Sequence, residues 1–298
     1  MRKFTLFLAA LCCTVMANAW NLQVDGICYN VNWSDETAVV TYETTDPYSY
    51  NYKNFTGAIT IPATVRGDLT DFTVVAIGDS AFMNANITNI DMSQTSITRI
   101  GKRAFYECDR LSTVSLPSTL KTIDMFAFYK IPITSIDLPD HLQIIGQGAF
   151  DVCKNLTSIR IPESVTEIGH AAFEWCISLT HVVLPSSRPK MRETSFRLCN
   201  ALNLIENYAV TPQDISIYVF CEIDEPGAIT LRVPKGSKPA YEAVAGWKVM
   251  HIEEMDQEDI EQPTSDSSLK GGEKFLRDGQ LLIEKNGKTY NALGAEIK

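Results

Sequence analysis

The chain has 298 residues, 36 acidic and 26 basic, and a formal charge of −10 at pH 7. An acidic chain without a basic block makes a poor partner for nucleic acid or for an anionic membrane surface. Hydrophobic residues at 45% supply a substantial core and exclude a disordered chain, and eight cysteines are too few for a disulfide-dense miniature scaffold.

The first element in chain order is a leader. Arg2 and Lys3 precede an apolar run from Thr5 to Met16, and Ala17-Asn18-Ala19 is an A-x-A cleavage signature. The pattern predicts a secretory signal peptide over residues 1–19, too short to span a bilayer. Its removal takes two of the 26 basic residues and, with Cys12 and Cys13, two of the eight cysteines. No later apolar run reaches the roughly 18 residues a transmembrane helix needs, so an exported protein without such a helix is expected.

Residues 20–54 predict a β-rich N-terminal cap. Gly26-Ile27-Cys28-Tyr29-Asn30-Val31 and Ala38-Val39-Val40-Thr41-Tyr42 have strand composition, with a polar turn from Asn32 to Glu36 between them. A half-coil follows at Ile59-Thr60-Ile61-Pro62.

Residues 55–205 are dominated by a repeat. Ala-Phe recurs at Ala81-Phe82, Ala104-Phe105, Ala127-Phe128, Ala149-Phe150 and Ala172-Phe173, with Ser195-Phe196 as a variant. The phenylalanines are 23, 23, 22, 23 and 23 residues apart. Five residues before each stands Ile77, Ile100, Ile123, Ile145, Ile168 or Met191, followed by glycine in four units. Three residues after Phe come Cys108, Cys153, Cys176 and Cys199, replaced by Ala85 and Ile131 in two units. A short strand pattern closes each unit, as in Leu156-x-x-Ile159-x-Ile161-Pro162. One such unit cannot bury its own apolar edge, whereas stacking aligns Phe on Phe and Ile on Ile into continuous ladders. Each buried Phe or Leu contributes roughly 1.5–3 kcal/mol. The expected fold is a leucine-rich-repeat solenoid of about six 23-residue coils with short parallel strands, between a β-rich N-terminal cap and a C-terminal β/α cap.

The composite L-x-x-I-x-I-P…I-G-x-x-A-F-x-x-C resembles the BspA-like, or Treponema-type, leucine-rich repeat. The first and last units depart from it, with Met92-Ser93 in place of Ile-Pro and no glycine after Met191. The resemblance implies a non-catalytic secreted or surface-attached protein. Its implied role is adhesin-like, with a host extracellular-matrix protein or another surface protein as partner.

In the C-terminal cap, residues 206–254, Ile229-Thr230-Leu231-Arg232-Val233-Pro234-Lys235-Gly236-Ser237 followed by Tyr241 and Trp247 resembles the ending of the same family. It implies a strand, a turn and a short helix, with both aromatic residues packed over the last coil. Residues 255–272 read as an acidic, Ser- and Gly-rich linker. Residues 273–298 regain strand character, and Asn286-Gly287 marks a hairpin turn. The pieces Asp278-Gly279-Gln280 and Asn286-Gly287-Lys288-Thr289-Tyr290-Asn291 resemble the closing part of a Bacteroidetes type IX secretion sorting domain. The match is shorter than a full sorting domain.

No catalytic, metal or cofactor motif stands out. The four histidines fall at different points of the coil, and no H-E-x-x-H, G-x-S-x-G, P-loop or G-x-G-x-x-G occurs. Cys176 and His181 are the best nucleophile–base pair, but Cys176 sits in the apolar register. Cys108, Cys153, Cys176 and Cys199 read as reduced core thiols. Asp91 and Asp137 occupy equivalent strand positions two coils apart, the one carboxylate pairing open to an inverting glycosidase. No catalysis and no cofactor are expected.

The candidate binding surface is the outward side of the repeated strand: Asn89 and Asp91, Thr113 and Ser115, Ser135 and Asp137, Ser158 and Arg160, His181 and Val183. This strip is small, polar and nearly neutral, without an aromatic row for sugars or a basic row for phosphates. Protein binding is the leading expectation, and surface capture of a glycan or nutrient is the alternative.

Overall fold

The repeat period is the circumference of a coil with three walls. A computed structural model describes residues 21–42 and 55–255, and the backbone of Glu273–Arg277, Gln280–Lys285, Lys288–Asn291 and Glu296–Ile297. The expected leader, all of the expected linker but Met255, and the Asn286-Gly287 turn lie outside the described residues.

The first wall is built by the L-x-x-I-x-I segments, which form parallel strands. Thr56–Thr60, Asn86–Asp91 and Thr113–Ser115 make one ladder. Ser158–Arg160, His181–Leu184, Leu204–Asn207, Thr230–Val233 and His251–Glu254 make a second. Side chains alternate across a strand, so Ile159, Val182, Ile205, Leu231 and Ile252 are buried while their neighbours reach the surface.

The second wall carries the Ile-Gly segments as two-residue strands, from Arg99–Ile100 through Thr122–Ile123, Ile144–Ile145 and Glu167–Ile168 to Lys190–Met191. Successive coils approach so closely here that a Cβ on Gly169 would lie 2.6 Å from the backbone of Gly146 and Gln147. Close approach explains the glycine that follows Ile in most units. At its N-terminal end Leu22–Val24, Ile27–Asn32 and Thr37–Thr41 form an antiparallel meander. Its last strand runs parallel to Asp71–Ile77, the strand that leads into the two-residue ladder.

The third wall has no strand and is a stack of Ala-Phe turns. Backbone N–H groups of Ser80, Phe82 and Asn84 donate to the carbonyls of Lys102, Ala104 and Tyr106, all at 2.8 Å. The same three bonds recur from each turn to the next, ending with Thr194, Phe196 and Leu198 on Tyr218, Val219 and Cys221. Two residues in each turn take the left-handed conformation. Ser80 and Asn84, Arg103 and Glu107, Phe126 and Lys130, Ala171 and Trp175, and Thr194 and Leu198 all have φ between 53° and 59°. Non-glycine residues in that region cost roughly 1–2 kcal/mol each, which the inter-coil bonds and the buried rings offset.

The core is the column of rings from Phe82 to Phe220. Consecutive centroids are 5.1–5.4 Å apart and the planes lie within 11° of parallel. This is the offset stacking that aromatic quadrupoles favour. Both ends of the column are closed by rings set at an angle, Phe55 at 68° on Phe82 and Trp247 at 49° on Phe220. In the sixth unit Ser195 stands where the others have alanine; it is fully buried, and its hydroxyl donates to the carbonyls of Gly169 and Arg192.

The stack is longer than the six expected coils. Phe220 and Trp247 continue the ring column, and Leu204–Asn207, Thr230–Val233 and His251–Glu254 continue the strand wall in parallel register. Spacings of 24 residues from Phe196 to Phe220 and 27 to Trp247 take these coils off the strict period. The expected short helix is Lys238–Glu242. Tyr241 and Trp247 are fully buried, the hydroxyl donating to the Ala209 carbonyl at 2.6 Å and the indole N–H to the Gln213 carbonyl at 3.0 Å. The C-terminal strands form an antiparallel sheet in which Lys285 lies opposite Lys288, the register of a two-residue hairpin.

Candidate interaction surface

The strand wall presents its outward residues in columns set by parallel register. Asn89 lies opposite Thr113 and Asp91 opposite Ser115; Ser158 lies opposite His181 and Arg160 opposite Val183. Eight of the ten candidate residues therefore stand on strands as expected.

Ser135 and Asp137 do not. The coil that carries them is one residue short: Ile131 is two residues from Ile133, where Cys108 is three from Leu111. The shortened link cannot bring the segment into the ladder, and no strand forms over Ser135–Asp137. Among the described residues, the backbone bond across this coil on the strand wall is from Thr157 N–H to the Thr134 carbonyl, 3.1 Å. Thr157 Oγ1 reinforces it, also at 3.1 Å. The break splits the wall into two surfaces of different chemistry, and it removes the equivalence of Asp91 and Asp137 on which a glycosidase pairing rested.

The N-terminal surface is small and polar. Asp91 turns back on its own backbone, accepting the Ser93 N–H at 2.9 Å, and that bond holds its carboxyl below the usual range. The C-terminal surface is charged. Register places Ser158, His181, Leu204, Thr230 and His251 in one column and Arg160, Val183, Glu206, Arg232 and Glu253 in the next. Glu206 lies between two cationic partners, His181 Nε2 at 3.2 Å and an Arg232 guanidinium nitrogen at 3.2 Å. Its side chain is 16% exposed, which shields this pairing better than an ordinary surface ion pair. Farther along, His251 Nε2 meets Glu253 at 3.0 Å. Glu206, Arg232, His251 and Glu253 were not among the sequence candidates, because their coils fall outside the strict period.

The cysteines face inward. Cys108, Cys153, Cys176 and Cys199 are free, fully buried thiols. Each Sγ donates to the carbonyl of a Phe in an earlier turn: Phe82 at 3.0 Å, Phe128 at 3.2 Å, Phe150 at 3.3 Å and Phe173 at 3.2 Å. Burial pushes the Cys108, Cys153 and Cys199 thiols up to about 12 and raises Cys176 as well. Cys176 is thus a bonded core residue, in a state opposite to that of a nucleophile. Among the described residues, no three His, Cys, Asp or Glu side chains form a metal-ligating group. No helix of the described residues is long and apolar enough to cross a membrane.

Comparison with known proteins agrees with the walls and the ladder. Residues 75–203 match, in six copies, the family described as the BspA type leucine rich repeat region. No curated protein matches the chain. Among solved structures, the leucine-rich repeat protein of T. pallidum is 26% identical, over 62% of this chain and 80% of its own, with a TM-score of 0.51. A leucine-rich repeat protein from Bacteroides ovatus is 20% identical over 73% of this chain and 56% of its own, TM-score 0.42. One from Bacteroides capillosus is 26% identical over 57% and 97%, TM-score 0.37.

Proposed function

Taking residues 75–203 as a BspA-type leucine-rich-repeat region within a leucine-rich-repeat solenoid, we propose that the chain is an exported, non-catalytic binding protein of the cell surface. Its role is adhesin-like, with a host extracellular-matrix protein or another surface protein as partner. The observation that carries this reading is the C-terminal strand wall, where five parallel strands hold two columns of outward side chains in fixed register. Rigid strands present such residues with little ordering cost on association. The half-buried His181–Glu206–Arg232 group adds a fixed pattern of opposite charges, the feature that selects among protein partners. The leader over 1–19 supports export, and the terminal stretch that resembles a type IX sorting domain supports attachment at the surface.

The test is binding of the full chain to immobilised fibronectin and fibrinogen. Saturable binding is expected, with a loss of about tenfold for Glu206→Gln, since one charge-assisted hydrogen bond to a partner is worth roughly 1.5–3 kcal/mol. Asn89→Ala on the other side of the break leaves the affinity unchanged. No saturable binding to either protein overturns the matrix-adhesin reading.

A further inference from the structure

Away from the strand wall, the second wall meets the stack of Phe turns in a groove of about 610 Å³. Two features of the fold make it. Positions 146 and 169 are glycines whose missing side chains leave the corner open, and a Cβ at either would lie under 3 Å from the preceding coil's backbone. The two-residue ladder also stops at Lys190–Met191, because the chain beyond Asn207 dips inward through the buried Tyr208, Ala209, Pro212, Gln213 and Ile215. The next coil returns to the surface at Ser216, which closes the far side.

The floor of the groove is aliphatic, with Ile144 42% exposed beside Met191. The rim alternates donors and acceptors. Glu167 accepts from Arg192 Nε at 2.8 Å, and His170 lies 3.3 Å from the Thr194 hydroxyl. Lys190 and Glu193 add an ammonium and a carboxylate, both exposed. The two cations and two carboxylates cancel, so the groove selects neither sign of charge. Two residues beyond Ser216, Tyr218 is 54% exposed and its carbonyl is bonded to the Thr194 N–H, which sets an aromatic residue next to the rim.

We propose that this groove binds a neutral oligosaccharide. Dense, charge-balanced, mixed donors and acceptors suit hydroxyl groups, which both donate and accept. The aliphatic floor suits the C–H face of a pyranose ring. The volume falls within the ~300–1,000 Å³ of small-ligand sites. A peptide fits less well, because the free ladder edge is two residues long and strand addition needs a longer one.

The experiment is a binding screen of the full chain against neutral oligosaccharides, uronic-acid oligosaccharides and extended peptides. Hits are followed by calorimetry at low and high salt. A neutral oligosaccharide is expected to bind with an affinity that salt leaves unchanged. Lys190→Ala with Arg192→Ala is expected to weaken it by about tenfold or more, while Glu206→Gln on the strand wall leaves it intact. Both residues are exposed, so the variant is expected to keep the wild-type melting temperature; His170→Ala serves as a second, independent variant. Preference for anionic sugars or for peptides, binding unaffected by all three substitutions, or no oligosaccharide binding at all overturns the proposal. None of these results bears on the matrix-protein assay.

Discussion

At the short coil, the strand wall and the turn wall respond to the same missing residue in opposite ways. The turn wall is undisturbed: Phe128 stacks on Phe150 at 5.4 Å, and Phe126, Phe128 and Lys130 keep their three bonds to the next turn. The second wall also stays in register, with Thr122 opposite Ile144. On the strand wall the ladder stops at Ser115 and resumes at Ser158. The missing residue falls in the link between the Phe turn and the strand, so the ring is anchored before the chain meets the defect. The contrast teaches that the stack is held by its rings and turn bonds. The strands are a surface laid over that frame, free to be interrupted and to change chemistry on either side of the break.

Three measurements press on this contrast. The largest effect is expected from Phe128→Ala, which opens a cavity in the ring column and should cost about 3–5 kcal/mol in urea unfolding. A cost under about 1 kcal/mol would mean that the column is not what holds the stack.

Smaller is the effect of Asp151, on the turn wall next to Phe150. Burial, then repulsion from Glu174, raises its carboxyl to about 7, against opposing contributions from the Val152 N–H and Arg197. The folded chain therefore keeps this proton at pH values where the unfolded chain has lost it. Stability falls as pH rises from about 4 to about 7, and above that the ionised group remains a fixed cost. Asp151→Asn should flatten that slope and add about 1–2 kcal/mol at pH 8, after discounting for partial exposure. An unchanged pH profile would show that Asp151 is not the group responsible.

The smallest effect lies at the break itself. Amides of Ser135, Ile136 and Asp137 should exchange with solvent much faster than those of Ile159 or Val182 in the intact ladder. Insertion of one residue after Pro132 should slow them toward ladder values. Equal exchange rates in the unaltered chain would mean that the wall is continuous in solution.

Much of this architecture was legible from a period of 22 or 23 residues. The Phe, Ile and Cys positions that repeat strictly are those whose side chains must meet a copy of themselves one coil away. Phe220 and Trp247 were less legible as rungs, because longer loops move them off the period while their rings still close on the column. The break was visible as a deletion, but its placement before the strand was not, since Ile133 and Ile136 keep the apolar pattern and are still buried. Nor did residue type mark the left-handed positions. Arg103, Phe126 and Trp175 hold a backbone for which asparagine or glycine would be the usual sign. The candidate surface was half legible for the same reason: strict repeats reveal what packs, whereas the charged column at Glu206 and Arg232 lies where the repeats loosen.

The turn wall has one further consequence, in its electrostatics. Every bond between its turns runs in one sense, from an N–H of one coil to a carbonyl of the next. Peptide dipoles in an ordinary sheet largely cancel, but here they add along the axis as they do in an α-helix. The wall thus has a positive pole at the Phe220 end and a negative pole at the Phe82 end. Because the backbone alone creates this polarity, side-chain substitutions leave it in place, and it gives the two ends of the solenoid different fields whatever residues they display.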